Sequence, residues 1–214
     1  MNVLCPLCSS AHHHFFCRDE MREYRHCFTC KLVFVPERFH MDAAAEKVRY
    51  DLHTNTPDDA AYRKFLYRMF APMRERTAQQ SDGLDFGSGP GPTLSLMFEE
   101  CGYHMQIYDC FYAHDERVFD RQYDFITATE VVEHLHRPWV ELNRLWCCLK
   151  PGGLLGIMTS RYDSVEHFNR WHYKRDPTHV LFFSTESFMW ISRRWKAELE
   201  VIDNDIVILR KCTV

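Results

Sequence analysis

The sequence predicts an α/β protein in which a doubly wound sheet, with an antiparallel last strand, follows a small cysteine-rich unit. A glycine-rich turn at residues 87–91 lies between an apolar stretch and a helical pattern, which is typical of the first βαβ unit of a nucleotide-binding sheet. Apolar runs then alternate with helical patterns, which indicates parallel strands joined by crossover helices. Two Cys-x-x-Cys pairs open the chain. Together these features favour a Rossmann-like domain behind a small metal-binding unit.

The cysteine-rich unit comes first. Cys5 and Cys8 form one Cys-x-x-Cys pair, and Cys27 and Cys30 form the second. Two pairs at this separation are typical of a zinc site to which each pair supplies two thiolates. Four thiolates leave no open coordination position, so we expect the Zn²⁺ to be structural. Residues 1–40 are therefore predicted to form a zinc ribbon of the rubredoxin-like kind. Its predicted strands are residues 14–17, 23–26 and 31–35.

Residues 41–80 are predicted to be a helical linker or lid. Residues 42–52 have a helical pattern with Asp42 as a plausible N-cap. A second helix opens at Asp58 or Asp59 and carries an apolar stripe, which we interpret as core packing.

The sheet domain occupies residues 81–214. Pro138 marks the start of the helix after the central strand, because proline is tolerated in the first turn of a helix but not in its interior. Ser184 is the predicted N-cap of the last helix. The last two strands meet across a short turn and are expected to be antiparallel. The predicted strands are residues 84–86, 105–109, 123–128, 154–159, 197–202 and 206–210, and the predicted helices are residues 92–101, 138–148 and 185–194.

Composition excludes several classes of protein. The 214 residues are 46% hydrophobic and 14% aromatic, which excludes wholesale disorder. The formal net charge of -4 argues against strong, sequence-independent binding of nucleic acid, although a local basic patch could still bind RNA. The chain opens without an export signal and has no run of about 18 apolar residues. We therefore expect a soluble, cytoplasmic protein without membrane contact.

The glycine-rich turn carries the strongest functional signal. Gly87, Gly89 and Gly91 suit a turn that needs positive φ and close approach of the backbone to a ligand. Asp85 stands at the end of the strand before the turn, and the next apolar run ends in Asp109. An acid at the tip of the second strand can accept two hydrogen bonds from a ribose diol. This spacing favours a nucleotide site over a tight turn that holds no ligand.

Five segments follow one another in a recognisable order: Asp85 to Gly91, Asp109, Tyr123 to Ile126, Glu130 to His134, and Leu149 to Gly153. In combination they resemble the class I S-adenosylmethionine-dependent methyltransferases, and they cover most of residues 81–160. The similarity is greatest to small bacterial methyltransferases that carry an N-terminal zinc ribbon, many of which have no assigned substrate. NAD-dependent dehydrogenases share the glycine turn, but that interpretation does not predict the last two segments.

The resemblance implies that S-adenosylmethionine is the cofactor. Asp109 would hold the ribose, while Gly87 and Gly89 would let the backbone approach. Asp85 would orient the turn and the methionyl amino group, and a turn-stabilising role alone is the alternative. Thr129 would line the donor pocket. The implied cofactor-binding residues are Asp85, Gly87, Ser88, Gly89, Gly91, Asp109, Thr129 and Glu130.

The chain departs from the family pattern after Asp109. Too few residues precede the next strand for a full helix and a regular third strand. The crossover is therefore either truncated or contains a token strand at residues 118–119. The family's adenine-binding acid has no counterpart here, and Phe111 or Tyr112 is the candidate for stacking on the base. By resemblance, the lid candidates that would cover the cofactor are Tyr50, His53 and Tyr62.

The catalytic candidates are His134, Glu130 and His179. A base would accelerate methylation of a hydroxyl or ring carbon by roughly 100- to 10,000-fold, and neutral imidazole is available near pH 7. His134 is favoured because it stands at the active-site end of the central strand. His172 is a further candidate, for which an ordinary structural role is the better interpretation.

A second metal site is an open alternative. On a helical turn Glu130, Glu133 and His134 would share one face. The segment that ends in His179 resembles part of the site in RNA 3′-terminal 2′-O-methyltransferases, in which two Glu and two His hold a divalent ion. Such a site would need His179 and also His172. We favour the interpretation without a metal, because a Glu-x-x-Glu-His start is widespread in methyltransferases that use none.

Three functions are consistent with these features. The first is methyl transfer to an oxygen or carbon of a small molecule; the absence of an Asn-Pro-Pro-Tyr motif weakens exocyclic amines as acceptors. The second is an RNA or tRNA methyltransferase whose ribbon docks the nucleic acid, with the Arg and Lys residues of 161–196 as its patch. The third is a cofactor-binding module without catalysis. The acceptor and the oligomeric state are not indicated by the sequence.

Overall fold

Two sheets organise the chain in this computed structural model, which describes residues 3–52 and 56–213. The first sheet starts with β1 (His13–Arg18), β2 (Glu23–Cys27) and β3 (Val33–Phe34), close to the predicted ribbon strands. The helices α1 (Ala43–Tyr50) and α2 (Ala60–Arg76) follow. The Asp42 carboxylate caps α1 by accepting from the Ala45 amide, and the Asp59 carboxylate caps α2. Both caps lie where the sequence predicts a helix start.

The second sheet is the predicted doubly wound one. Its strand order is β5-β4-β6-β7-β10-β9. Strands β5, β4, β6 and β7 are parallel, and β10 is antiparallel to both β7 and β9. This arrangement confirms the predicted fold class. The strands and helices from residue 82 onward, which include β8 of the first sheet, are β4 (Asp82–Phe86), α3 (Thr93–Glu99), β5 (His104–Tyr108), β6 (Tyr123–Thr129), α4 (Pro138–Cys147), β7 (Leu149–Met158), α5 (Val165–Arg170), β8 (Leu181–Phe182), α6 (Thr185–Trp195), β9 (Glu198–Val201) and β10 (Ile206–Arg210).

Apolar side chains cover both faces of this sheet, as alternation along its strands requires. Leu154 and Met158 pack in a cluster with α2 and α3, whereas Leu155 and Ile157 pack in a cluster with α4 and α6. The contact with α2 is close, since a Cβ on Gly156 would lie 2.7 Å from the Met73 sulfur. In the part of the chain that the structure describes, no helix is long and apolar enough to cross a membrane.

The crossover between β5 and β6 is truncated. A short 3₁₀ helix, Glu116–Asp120, replaces the helix and third strand of a full unit, and Val118 from it is buried. Strand β5 is consequently at the edge of the sheet. Of the two predicted alternatives for this segment, the structure shows the one without a token strand.

The ribbon shares its sheet with a strand from the C-terminal half of the chain, which the sequence did not predict. Strand β8 pairs with β3 through Val33–Phe182 and Phe34–Leu181, so the first sheet has the order β1-β2-β3-β8. The Val35 amide also donates to the Val180 carbonyl at 2.9 Å. The domain boundaries near residues 40 and 80 remain predictions, but the ribbon is attached to the segment that precedes α6.

Candidate active site

The glycine-rich turn between β4 and α3 is shaped by two glycines with different roles. Gly87 has φ +77°, and a Cβ there would lie 2.3 Å from a methyl group of Val131, so this position needs glycine for both conformation and space. Gly89 has φ +64°, but apart from its chain neighbours no heavy atom of the described residues lies within 4 Å of where its Cβ would be. The space beside Gly89 is therefore open to a ligand.

Asp109, directly after β5, holds this turn in position through hydrogen bonds. Its carboxylate accepts hydrogen bonds from the amides of Gly89 at 2.9 Å, Phe111 at 2.8 Å and Tyr112 at 3.1 Å. An ionised carboxylate has about four acceptor positions, so one position remains for a ribose hydroxyl, and not the two that the sequence suggested. Asp109 therefore organises the backbone around the space in which the sequence places the ribose.

Asp85 lies beneath the turn. Its Oδ1 accepts from the Thr127 hydroxyl at 2.8 Å, and the residue is 4% exposed. Burial raises the pKa of its carboxyl to about 6, and the negative charge of Asp109 acts in the same direction. Asp85 is absent from the lining of the cavity above it. This position suits the turn-stabilising alternative and leaves contact with an amino group as a prediction.

A cavity of about 680 Å³ adjoins the turn. It brings together the predicted cofactor residues other than Asp85 and the three predicted catalytic residues, although they come from separate parts of the sequence. Helices α1 and α2 close one side through Tyr50 and Tyr62, two of the lid candidates; the third, His53, lies outside the described residues. The predicted site residues in its lining are Gly87, Ser88, Gly89, Gly91, Asp109, Thr129, Glu130, His134 and His179.

Two hydroxyls in this lining have no hydrogen-bond partner in the part of the chain that the structure describes. Ser88 Oγ and Thr129 Oγ1 are buried and unpaired among the described residues. A buried polar group without a partner is costly, by about 1–3 kcal/mol. Together with the open space beside Gly89, these hydroxyls fit a polar ligand that lies along the turn, as S-adenosylmethionine would.

Glu130, which lines the same cavity, has φ +53°. Burial raises the pKa of its carboxyl to about 8, with a further contribution from the charge of Glu133. The Tyr173 hydroxyl donates to Glu133 Oε1 at 2.5 Å and to Glu130 Oε2 at 3.3 Å. Burial raises the pKa of Tyr173 well above its ordinary value, so this hydroxyl stays a donor. The sequence contains no local signal that would have singled out Tyr173.

His134 and His179 face each other beside this group, with ring centroids 4.6 Å apart. His134 Nδ1 donates to the Thr178 carbonyl at 3.1 Å, and His179 Nδ1 donates to the Tyr173 carbonyl at 2.7 Å. In the neutral form of each ring the lone pair would therefore be on Nε2. Burial lowers the pKa of His179 to about 4, so this ring is neutral at pH 7.

The aromatic candidates after Asp109 also line the cavity. Phe111 lies 5.7 Å from Tyr50, between ring centroids, and the Tyr112 hydroxyl donates to Asp51 at 2.7 Å. These contacts connect the end of α1 with the segment that follows β5. Stacking of either ring on the adenine remains a prediction.

The four predicted zinc ligands come together in the ribbon. Each offers a sulfur within 4.8 Å of the others, with Cys5 and Cys30 separated by 3.5 Å and Cys8 and Cys27 by 3.4 Å. Zinc–sulfur bonds of about 2.3 Å in a tetrahedron place the sulfurs about 3.8 Å apart. The cluster therefore has a suitable size and donor set for Zn²⁺.

The ribbon also holds the segment that carries Tyr173 and His179. Arg22 is 5% exposed, and its guanidinium donates to the carbonyls of Lys174 and Asp176, each at 2.7 Å, and of Pro177 at 3.0 Å. No sequence motif marks Arg22, because its partners lie in a distant part of the chain.

Comparison with known proteins agrees with this geometry. Residues 55–203 match the protein family described as "Methyltransferase domain". No curated protein matches the chain. Two solved structures from Burkholderia thailandensis share its fold. The 1,6-didemethyltoxoflavin-N1-methyltransferase, solved with 1,6-didemethyltoxoflavin and S-adenosylhomocysteine, has a TM-score of 0.55 and 14% identity over 94% of this chain and 99% of its own. An O-methyltransferase family protein has a TM-score of 0.52 and 13% identity over 78% and 63%, respectively.

Proposed function

Because this chain belongs to the methyltransferase-domain family, we propose that it transfers the methyl group of S-adenosylmethionine to an oxygen or carbon of a small-molecule acceptor. One observation carries the proposal. A single cavity is lined by the glycine turn and Asp109 and also by Glu130, His134 and His179. A donor bound along the turn would therefore meet an acceptor beside groups that can take a proton.

The turn would hold the donor. The remaining acceptor position of Asp109 suits a ribose hydroxyl, and Gly89 leaves room for the ligand along the backbone. The unpaired hydroxyls of Ser88 and Thr129 would form hydrogen bonds with polar groups of the donor. Asp85 would support the turn from below through Thr127.

The part of the cavity beside Glu130 would hold the acceptor. The bound cofactor would supply a methyl group on a positively charged sulfur. The acceptor oxygen or carbon would form a bond to the methyl carbon while the methyl–sulfur bond breaks, and the sulfonium would become a neutral thioether. Such an in-line displacement mainly needs positioning. The acceptor's proton would pass to the Glu130 carboxylate or to Nε2 of His134 or His179.

The lining of the cavity favours a small acceptor over RNA. Six acidic residues and two arginines line the cavity, and carboxylates repel a phosphate backbone. Two of the basic residues predicted as an RNA patch are not available to bind phosphate, since Lys174 is buried and the Arg161 guanidinium donates to the Asp203 carbonyl. An RNA methyltransferase is the alternative, with the ribbon as its docking module.

We propose a structural zinc for the ribbon. Cys5 and the three other cysteines would bind it, and its binding would supply much of the folding energy of so small a unit. It would lie apart from the methyl donor, because none of these cysteines lines the cavity.

Tritium-labelled methyl transfer tests the proposal. The protein would be incubated with labelled S-adenosylmethionine and either a small-molecule extract or total RNA. Label in the small-molecule fraction supports the proposal, and label in RNA supports the alternative. Calorimetric binding of S-adenosylhomocysteine without transfer to either fraction would indicate a cofactor-binding module, and no binding would refute the methyltransferase assignment.

A further inference from the structure

Three side chains beside the cavity form a cluster separate from the four cysteines. Glu133, His134 and His179 each offer a ligand atom within 4.8 Å of the other two. Nε2 of His134 lies 4.0 Å from Glu133 Oε1. The Glu133 side chain is 0% exposed, and its Oε2 has no hydrogen-bond partner among the described residues. A buried carboxylate oxygen without a donor indicates a partner outside the chain, either an ordered water or a cation.

Neighbouring groups orient the three side chains. The carbonyls of Thr178 and Tyr173 accept from Nδ1 of His134 and His179, which leaves Nε2 of each ring as an electron-pair donor. The Tyr173 hydroxyl holds Glu133 Oε1. Backbone carbonyls that fix the histidine tautomer, and a hydrogen bond that orients the carboxylate, are the usual surroundings of metal ligands.

We propose that Glu133, His134 and His179 bind a divalent transition-metal ion beside the part of the cavity that would hold the acceptor. Two imidazoles and one carboxylate suit Mn²⁺, Fe²⁺ or Zn²⁺ better than Mg²⁺ or Ca²⁺, which prefer oxygen ligands. Three protein ligands leave coordination positions open. His134 and His179 line the cavity, so those positions would be reached from it. His172, which the sequence suggested as a ligand, is exposed and lies outside the cluster.

The site would narrow the choice of acceptor, an inference that rests on the proposed methyltransferase function. A hydroxyl bound to the ion would be more acidic, because the ion stabilises the oxygen anion. Its proton would pass to Glu130, since the lone pairs of both imidazoles would be engaged by the ion. The oxygen would then form its bond to the methyl carbon as the methyl–sulfur bond breaks. The acceptor class is therefore an alcohol or phenol.

Paramagnetic resonance with Mn²⁺ tests the site without knowledge of the acceptor. Protein whose four-cysteine cluster carries zinc would be titrated with MnCl₂, and loss of the free-ion signal would be measured. We expect one Mn²⁺ per chain, with binding at least tenfold weaker in both H134A and H179A. H172A removes an imidazole from the same segment and should bind within twofold of wild type. His134 is partly exposed, so H134A remains informative if a more buried variant does not fold.

Absence of Mn²⁺ binding by wild type at millimolar concentration would overturn the inference. Equal binding by wild type and a folded H134A would also overturn it. Calorimetry with S-adenosylhomocysteine on the same protein separates the two proposals. Cofactor binding without Mn²⁺ binding would defeat the metal site alone, whereas Mn²⁺ binding without cofactor binding would defeat the proposed function alone.

Discussion

Arg22 donates to the carbonyl oxygen of Asp176 at 2.7 Å, although 154 positions separate the two residues in the sequence. This bond and those to Lys174 and Pro177 fasten the ribbon to residues 172–179. Since that segment carries Tyr173 and His179, the ribbon determines the position of one wall of the cavity.

Replacement of Arg22 should destabilise this wall. Arg22→Met would remove hydrogen bonds to three carbonyl oxygens, of which those of Lys174 and Asp176 keep one other donor each. We expect the free energy of unfolding to fall by about 2–4 kcal/mol. Urea denaturation measures the loss, and hydrogen exchange should show faster exchange in residues 172–179. Arg38→Met is the control, because Arg38 is exposed and its ion pair with Glu23 should contribute less than about 1 kcal/mol. Equal effects of the two substitutions would contradict this account.

Removal of the zinc proposed for the ribbon should affect the same wall of the cavity. A strong chelator, or the double variant C27S/C30S, should unfold the ribbon sheet. Because β3 pairs with β8, hydrogen-exchange protection should then also be lost at residues 180–183. S-adenosylhomocysteine should still bind within about tenfold, since the turn at Gly89 lies between β4 and α3. Protection of residues 180–183 that survives metal loss would show that the ribbon does not support them.

Two glycines offer a matched pair for the cofactor site. Gly89 and Gly102 both have positive φ, +64° and +84°, and at neither position does a heavy atom of the described residues, apart from the chain neighbours, lie within 4 Å of where a Cβ would be. Gly89→Ala and Gly102→Ala should each cost about 1–2 kcal/mol in stability because of the left-handed backbone. Gly89 alone of the two lines the cavity. Calorimetry should show S-adenosylhomocysteine binding at least tenfold weaker in G89A and unchanged in G102A; equal affinities would argue against binding along this turn.

Asp85 should make stability depend on pH. Its pKa is raised from 3.8 to about 6, so the protonated carboxyl is favoured in the folded state. The stabilisation is complete below pH 3.8 and is lost as pH rises through 6. Two pKa units correspond to about 3 kcal/mol. Relative to Asp85→Asn, which keeps an acceptor for Thr127, the wild type should lose about this much between pH 4 and 7 in urea denaturation. A constant difference would contradict the shift.

The same Asp85→Asn variant decides between the two roles of the residue. Direct contact with the methionyl amino group would weaken S-adenosylhomocysteine binding at least tenfold at pH 7.5. A turn-stabilising role would leave the affinity within about twofold, since the amide can still accept from Thr127. Calorimetry at one pH distinguishes these outcomes.

Several parts of the fold were predictable because their signals are local. The N-caps Asp42, Asp59 and Ser184 each accept from a backbone amide within three residues, so a short window of sequence contains both partners. Pro138 is the first residue of α4, as its fixed φ favours. The alternation of apolar runs also predicted the doubly wound sheet in outline.

The missed features depend on distant contacts. The two-residue strand β8 is too short for a periodic pattern and exists because β3 supplies its partner. Glu133 was expected on a helical turn with Glu130, but it lies on a 3₁₀ helix, Val132–His134, where Tyr173 reaches it from the later segment. Such pairings leave no trace in residue spacing.

The sequence by itself determined the glycine turn, the acid at Asp109 and the two cysteine pairs, because each depends on backbone conformation or ligand chemistry over a few residues. The tertiary structure decided which distant side chains share the cavity. His134 and His179 meet since β3 of the ribbon holds β8, and Val180 donates to the Glu133 carbonyl at 2.9 Å. Burial, which depends on the packed whole, then sets the proton affinities of Asp85, Glu130 and His179.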